Sequence, residues 1–186
     1  LLLIIAAAAS AVSSFAQTSW PSKPVKIVVP APAGSSLDLI VRAMSDKLGA
    51  RPVVGDEPFA VLLPDMVMHA RPGCLSQMIA AYNERGGGNV IAVEKVEPDQ
   101  VHRYGVVGAK DWRGNSFTID RMVEKPKPKD APSNLIISGR YILQPEVFDL
   151  LSSQEKGAGN EIQLTDSMKR LMQTQKFFGM RYEGVT

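Results

Sequence analysis

The apolar positions of this chain follow two patterns, short continuous runs and residues at helical spacing. The continuous runs predict strands over residues 24–30, 59–63, 90–93 and 134–143, with two shorter strands over 104–107 and 116–119 around a polar turn. Helical spacing predicts helices over residues 37–48, 75–82, 145–151 and 164–172. Strands that alternate with helices predict an α/β fold with a mostly parallel central sheet.

The first residues are anomalous. Residues 1–9 are an unbroken apolar run, and Ser14 and Ala16 are the small residues that a signal peptidase reads. We therefore expect residues 1–16 to be a secretory leader that lacks its basic start, too short to span a bilayer. A buried helix is the alternative. Residues 17–50 predict a strand–loop–helix segment, and residues 51–186 form a separate stretch of different character.

Composition narrows the classes of function. The chain has 186 residues, 45% apolar and 22% charged, which is typical of a globular protein. Its net charge of +2 is scattered, so no basic surface for nucleic acid is predicted. Cys74 is the single cysteine, which excludes an intrachain disulfide and a cysteine metal cluster. His69 and His102 are too far apart in sequence to predict a ligand pair, so any metal chemistry would use carboxylates.

Asp65 is the first candidate for such chemistry. It follows the apolar run 59–63 directly, and open α/β sheets bind ligands outside the carboxyl ends of their strands. A carboxylate there suits Mg²⁺, which binds one or two protein oxygens and completes its coordination with phosphate and water. An ordinary loop aspartate is an equal alternative.

Glu124, Lys125 and Gly105 are the other candidates. Glu124 and Lys125 are adjacent on a predicted strand, so both can serve one ligand only if the chain bends, and Pro126 favours a bend there. A solvated charged loop is the alternative for this pair. Gly105 would allow a ligand to approach the backbone closely, or it is a plain turn glycine.

Six sequence blocks carry a family resemblance. The block VGDEPFAVLLPD at 54–65 is very similar to the segment with the metal aspartate in bacterial UTP–glucose-1-phosphate uridylyltransferases. The other blocks follow in the order and approximate spacing of that family, at 103–107, 123–128, 131–134, 139–143 and 161–166. The resemblance covers nearly all of residues 51–186.

This resemblance implies an incomplete nucleotidyltransferase fold, Rossmann-like and three-layered, with a mostly parallel mixed sheet. It also implies the conversion of UTP and glucose 1-phosphate to UDP-glucose and pyrophosphate. Asp65 matches the Mg²⁺ ligand, Gly105 and Glu124 match contacts to sugar hydroxyls, and Lys125 matches the lysine that contacts phosphate. Asp65 and Lys125 are therefore the expected catalytic residues. A homo-oligomer stays open.

The chain also departs from that family. The family's glycine-rich UTP loop has no counterpart here, and its second metal aspartate would follow the segment 181–184. We therefore expect this polypeptide to be impaired or inactive as an enzyme, and to act in the cytoplasm, where UTP is available.

The opening residues resemble a different family. Residues 17–49 are similar to the start of periplasmic solute-binding proteins of the tripartite tricarboxylate transporter (Bug) type, which agrees with an export leader and conflicts with the cytoplasm. A carboxylate-binding protein fragment and a non-functional chimera are therefore the alternatives to the enzyme.

Overall fold

A computed structural model describes residues 54–63, 66–153 and 163–185, and the backbone of Ile27–Val28. The predicted leader, the rest of residues 17–50, and Asp65 lie outside the described residues. Among the residues that the structure describes, no helix is both long and apolar enough to cross a membrane.

Seven strands and three α-helices make up this part of the chain. The strands are β1 (Ile27–Val28), β2 (Phe59–Leu62), β3 (Asn89–Lys95), β4 (Gly105–Arg113), β5 (Ser116–Glu124), β6 (Leu135–Leu143) and β7 (Phe177–Arg181). The helices are α1 (Cys74–Glu84), α2 (Val147–Ser152) and α3 (Leu164–Leu171), with 3₁₀ helices at Pro98–Arg103 and Pro128–Asp130.

All described strands belong to one sheet in the order β1-β2-β6-β3-β7-β5-β4. Only two of its pairings are parallel, β1 with β2 and β3 with β7, and five are antiparallel. The α/β mixed sheet is confirmed, but the prediction of a mostly parallel one needs correction. The registers imply that five strands share one direction, and the two reversed strands, β5 and β6, are inserted between them.

The sheet lies between two layers of helices because successive side chains of a strand point to opposite faces. In β3, Ile91 and Val93 pack in the cluster formed with α2 and α3. Val90 and Ala92 pack in the cluster formed with α1. This confirms the three-layer arrangement that the resemblance implied.

Strand β1 bears on the 17–50 segment. Ile27 pairs with Ala60 and Val28 with Val61, parallel to β2. The predicted strand at 24–30 is therefore confirmed at its centre, and it supplies a parallel neighbour to β2 in this sheet.

A polar network surrounds Asn89, which is fully buried at the start of β3, at the amino ends of β3 and β7. The Asn89 side-chain amide donates to Gln175 Oε1 at 2.9 Å and to the Lys176 carbonyl at 3.2 Å. Its oxygen accepts from the Gln144 backbone N–H at 2.9 Å, and the Gln144 side chain donates to the Gly88 carbonyl at 2.6 Å. We call this group the Asn89 network.

Candidate functional site

The pairing along β6 opens a gap in the sheet. Strand β3 lies along one side of β6, whereas the other side is shared by β2, opposite residues 140–143, and β4, opposite residues 135–136. The end of β2 and the start of β4 therefore face each other across residues 137–139. Leu63 donates its backbone N–H to the Gly139 carbonyl at 2.9 Å, where Gly139 has a φ of 63°. We call this gap between the carboxyl end of β2 and the start of β4 the cleft, because ligands usually bind at the carboxyl ends of strands in open α/β sheets.

Gly105 lies on the far side of this gap, at the start of β4. It pairs with Glu124, the last residue of β5. A Cβ atom at Gly105 would lie 3.0 Å from Glu124 Oε2, 3.0 Å from Ile137 Cδ1 and 3.2 Å from Thr165 Oγ1. Gly105 is therefore not a turn glycine. Its missing side chain leaves room for a carboxylate and a hydroxyl from neighbouring elements.

Lys125 bends the chain immediately after Glu124. Its φ is 45°, a left-handed conformation that is uncommon for residues with a Cβ, and its N–H donates to the Tyr104 carbonyl at 3.0 Å. The bend predicted at Pro126 thus occurs one residue earlier. The half-buried Glu124 and the exposed Lys125 follow one another at this bend, at the border of the cleft.

The structure therefore places Gly105 against Glu124, with Lys125 next in the chain. Their roles toward a ligand stay predictions.

Thr165, which our sequence reasoning did not single out, completes this group. It is in the first turn of α3 and only 4% exposed, and its hydroxyl faces Gly105 beside the Glu124 carboxylate. The available signal was a hydroxyl residue just inside a predicted helix. We call Gly105, Glu124, Ile137 and Thr165 the niche.

Asp65 lies outside the described residues, between Leu63 and Met66. Arg140 of β6 donates from Nη1 to the Leu63 carbonyl and from Nη2 to the Met66 carbonyl. One guanidinium group thus holds both described ends of the segment that contains Asp65. Our sequence reasoning also missed Arg140, although an arginine inside an apolar strand was a visible signal.

Metal binding is not tested by these contacts. The part of the chain that the structure describes contains no group of three histidine, cysteine or acidic side chains able to hold a metal ion. The Mg²⁺ prediction depended on the single carboxylate of Asp65, with phosphate and water as the other ligands, and it stays a prediction.

The surroundings of Cys74 do not favour thiolate chemistry. Burial raises the pKa of the Cys74 thiol to about 11, Arg140 lowers it and Glu94 raises it. Glu94 in turn accepts a hydrogen bond from the Tyr182 hydroxyl. A helix amino terminus usually favours the thiolate, but here burial dominates, so Cys74 stays protonated near neutral pH.

Comparison with known proteins gives concordant matches. The Nucleotidyl transferase family model matches residues 41–182. UTP–glucose-1-phosphate uridylyltransferase 2 of Staphylococcus saprophyticus is 45% identical over 135 residues, 73% of this chain and 46% of that protein. The UTP–glucose-1-phosphate uridylyltransferase of Komagataeibacter xylinus is 44% identical over 135 residues, 73% of this chain and 47% of that protein. The chain thus spans about half the length of these curated relatives.

Solved structures of UDP-glucose pyrophosphorylases are also similar to this chain. A UDP-glucose pyrophosphorylase complexed with UDP-glucose is 34% identical, with a TM-score of 0.69, covering 79% of this chain and 54% of that chain. A UTP-bound enzyme from Acinetobacter baumannii is also 34% identical, with a TM-score of 0.62, covering 79% and 48%.

Proposed function

Because the chain belongs to the nucleotidyl transferase family, we propose that its cleft binds the sugar phosphate in uridylyl transfer from UTP to glucose 1-phosphate. UDP-glucose and pyrophosphate are the products of that reaction. The names of the relatives support this choice of substrates. The observation that carries the proposal is the niche itself, where Gly105 lets the Glu124 carboxylate and the Thr165 hydroxyl converge, and Lys125 turns the chain at the cleft border.

Glu124 recognises the sugar in this proposal. Its carboxylate accepts hydrogen bonds from hydroxyl groups of the glucose ring, and the missing side chain of Gly105 lets that carboxylate lie close to the β4 backbone. A hydrogen bond to a charged group contributes about 1.5–3 kcal/mol, so this contact alone would dominate recognition of the sugar.

Lys125 neutralises the phosphate. Its exposed ammonium group follows Glu124 directly, and the left-handed backbone turns the chain between the two side chains. Strained backbone conformations are concentrated at functional sites, where the strain sets the direction of a side chain. The positive charge would hold the phosphate and offset negative charge as it grows on the phosphoryl oxygens.

Asp65 would hold Mg²⁺, which supplies charge neutralisation at the phosphates when bound. Arg140 fixes Leu63 and Met66 on either side of this residue. In the reaction, an oxygen of glucose 1-phosphate attacks the α-phosphorus of UTP and pyrophosphate leaves, so no covalent enzyme intermediate is needed. The chain's own contribution is then to position and neutralise the sugar phosphate.

The cytoplasm is the proposed place of action, because the reaction consumes UTP. The resemblance of residues 17–49 to exported binding proteins stays a separate proposal, which concerns residues mostly outside the described ones.

Isothermal titration of the full chain with glucose 1-phosphate, with and without Mg²⁺, tests the proposal. Glu124→Gln and Lys125→Gln should each weaken binding about tenfold or more. Glu146→Gln, at an exposed position before α2, is the matched control and should bind like the wild type. Equal affinity of all four proteins would contradict the proposed sugar-phosphate site. Formation of UDP-glucose from UTP, measured in parallel, reports separately on turnover by this chain.

A further inference from the structure

We propose that Thr165 is a specificity-determining residue of this site, whose hydroxyl binds a ring hydroxyl of the hexose phosphate next to the one held by Glu124. This inference rests on the proposed function, and it assigns to α3 a ligand contact that our sequence reasoning did not predict.

The first argument is convergence. Glu124 Oε2 and Thr165 Oγ1 lie 3.0 Å and 3.2 Å from the same point, the position that a Cβ atom of Gly105 would occupy. The two oxygens come from β5 and α3, and only the absence of a side chain at Gly105 lets them share this space. They are therefore close enough together to bind neighbouring hydroxyl groups of one sugar ring.

The second argument concerns the hydrogen-bonding capacity of Thr165. A hydroxyl has one donor and two acceptor sites. Thr165 is only 4% exposed, so water can meet few of these sites. A ligand hydroxyl in the niche would supply a partner.

The third argument is direction. Thr165 is in the first turn of α3, where Leu164 and Ser167 are also buried. In the structure its hydroxyl is directed toward Gly105, 3.2 Å from the position of a Cβ atom there. The two oxygens also differ chemically. The Glu124 carboxylate only accepts hydrogen bonds, whereas the Thr165 hydroxyl can donate to a ring oxygen as well as accept.

Such a pair would discriminate between sugars. A site built to bind a substrate hydroxyl rejects the analogue that lacks it, because the protein group is then left unpaired. Glucose 1-phosphate and its 2-, 3- and 4-deoxy analogues therefore form the test series.

The experiment is titration of the full chain with these four compounds. Thr165→Val removes the hydroxyl while it keeps the shape, and should weaken glucose 1-phosphate binding by about three- to tenfold. Thr165→Ser should stay within about twofold of the wild type. One deoxy analogue should bind equally to the wild type and Thr165→Val, and it should differ from the analogue to which Glu124→Gln is insensitive. Thr118→Val, at a half-buried position elsewhere on β5, is the matched control.

The outcomes separate the two proposals. If Glu124→Gln weakens binding but Thr165→Val does not, the role of Thr165 is overturned and the sugar-phosphate site stands. If the wild type does not bind glucose 1-phosphate, both are overturned for this chain. Circular dichroism checks that each variant is folded. If Thr165→Val does not fold, Thr165→Ala replaces it in the analogue series and is judged by the same criterion.

Discussion

The Asn89 network and the cleft use their polar side chains in opposite ways. At the amino ends of β3 and β7, the Asn89 network consumes its hydrogen bonds internally, because Asn89 binds Gln175, Lys176 and Gln144. At the cleft, the Glu124 carboxylate and the Thr165 hydroxyl instead converge on the space beside Gly105.

This difference indicates where stability and function lie. A buried polar group that is paired inside the protein stabilises the fold, and losing its partner costs the full desolvation of the remaining group. A polar group that is held in place but unpaired contributes little to stability and remains available to a ligand. Substitutions in the Asn89 network should therefore change mainly the free energy of unfolding, whereas substitutions at the cleft should change mainly ligand binding.

Asn89→Leu should give the largest effect. It removes the amide and leaves Gln144 and Gln175 without their partner inside the protein. We expect a loss of about 3 kcal/mol in the free energy of unfolding, measured by urea denaturation. The folded fraction should still bind glucose 1-phosphate with wild-type affinity. If Asn89→Leu is as stable as the wild type, the Asn89 network does not stabilise the fold.

Gly105→Ala should show the opposite profile. The added Cβ would lie 3.0 Å from both Glu124 Oε2 and Ile137 Cδ1, so the carboxylate has to move. We expect glucose 1-phosphate binding to weaken by about tenfold to a hundredfold, with a stability loss of only about 1 kcal/mol. Calorimetric titration and denaturation of the same sample would check both. A stability loss without a binding loss would contradict the comparison.

Lys125→Gly should stabilise the fold and weaken ligand binding. Glycine adopts the φ of 45° without strain, so the variant should be about 0.5–1 kcal/mol more stable while it binds glucose 1-phosphate about tenfold more weakly. Asp111→Gly is the matched control, because Asp111 has a φ of 51° in the exposed β4–β5 hairpin. It should gain similar stability and keep its affinity. Equal loss of affinity in both variants would argue against a specific role for the lysine.

Cys74 should give the smallest effect, visible only at high pH. Burial raises the pKa of its thiol from 9.0 to about 11, so the folded state holds this proton more tightly than the unfolded chain. The associated stability is fully present below pH 9 and is lost as the pH rises toward 11. Thiolate absorbance should titrate near 11 in the folded protein and near 9 in urea. In Cys74→Ala this part of the pH dependence should disappear.

Most helices and strands were predictable from the sequence, because the spacing of apolar residues follows which side chains are buried. The helix at α1 was predicted from Leu75, Met78, Ile79 and Tyr82, and the strands β2, β3 and β6 from their continuous apolar runs. Strand β4 was predicted too short because its second half carries exposed polar residues that the pattern assigns to a turn. Strand β5 was predicted too short because the exposed Asp120 and Arg121 interrupt its apolar run.

Strand order and several site residues were not predictable in this way. Periodicity carries no information on which strands pair, so the insertion of β5 and β6 and the central position of β7 were missed. Thr165 and Arg140 reach the cleft from α3 and β6, through contacts between residues distant in sequence. Gly105, Glu124 and Lys125 were candidates from the residues alone, but the spacing of Glu124 and Lys125 favoured a solvated charged loop, and only the family resemblance favoured a site.

The position of β7 has a consequence for biosynthesis. This strand is the last in sequence among the described strands, yet it lies in the interior of the sheet, between β3 and β5. Until the ribosome has made it, the position between those two strands is empty and their backbone groups have no strand to pair with. We therefore expect this sheet to form only after residue 181 has left the exit tunnel, and the nascent strands to need protection by chaperones until then.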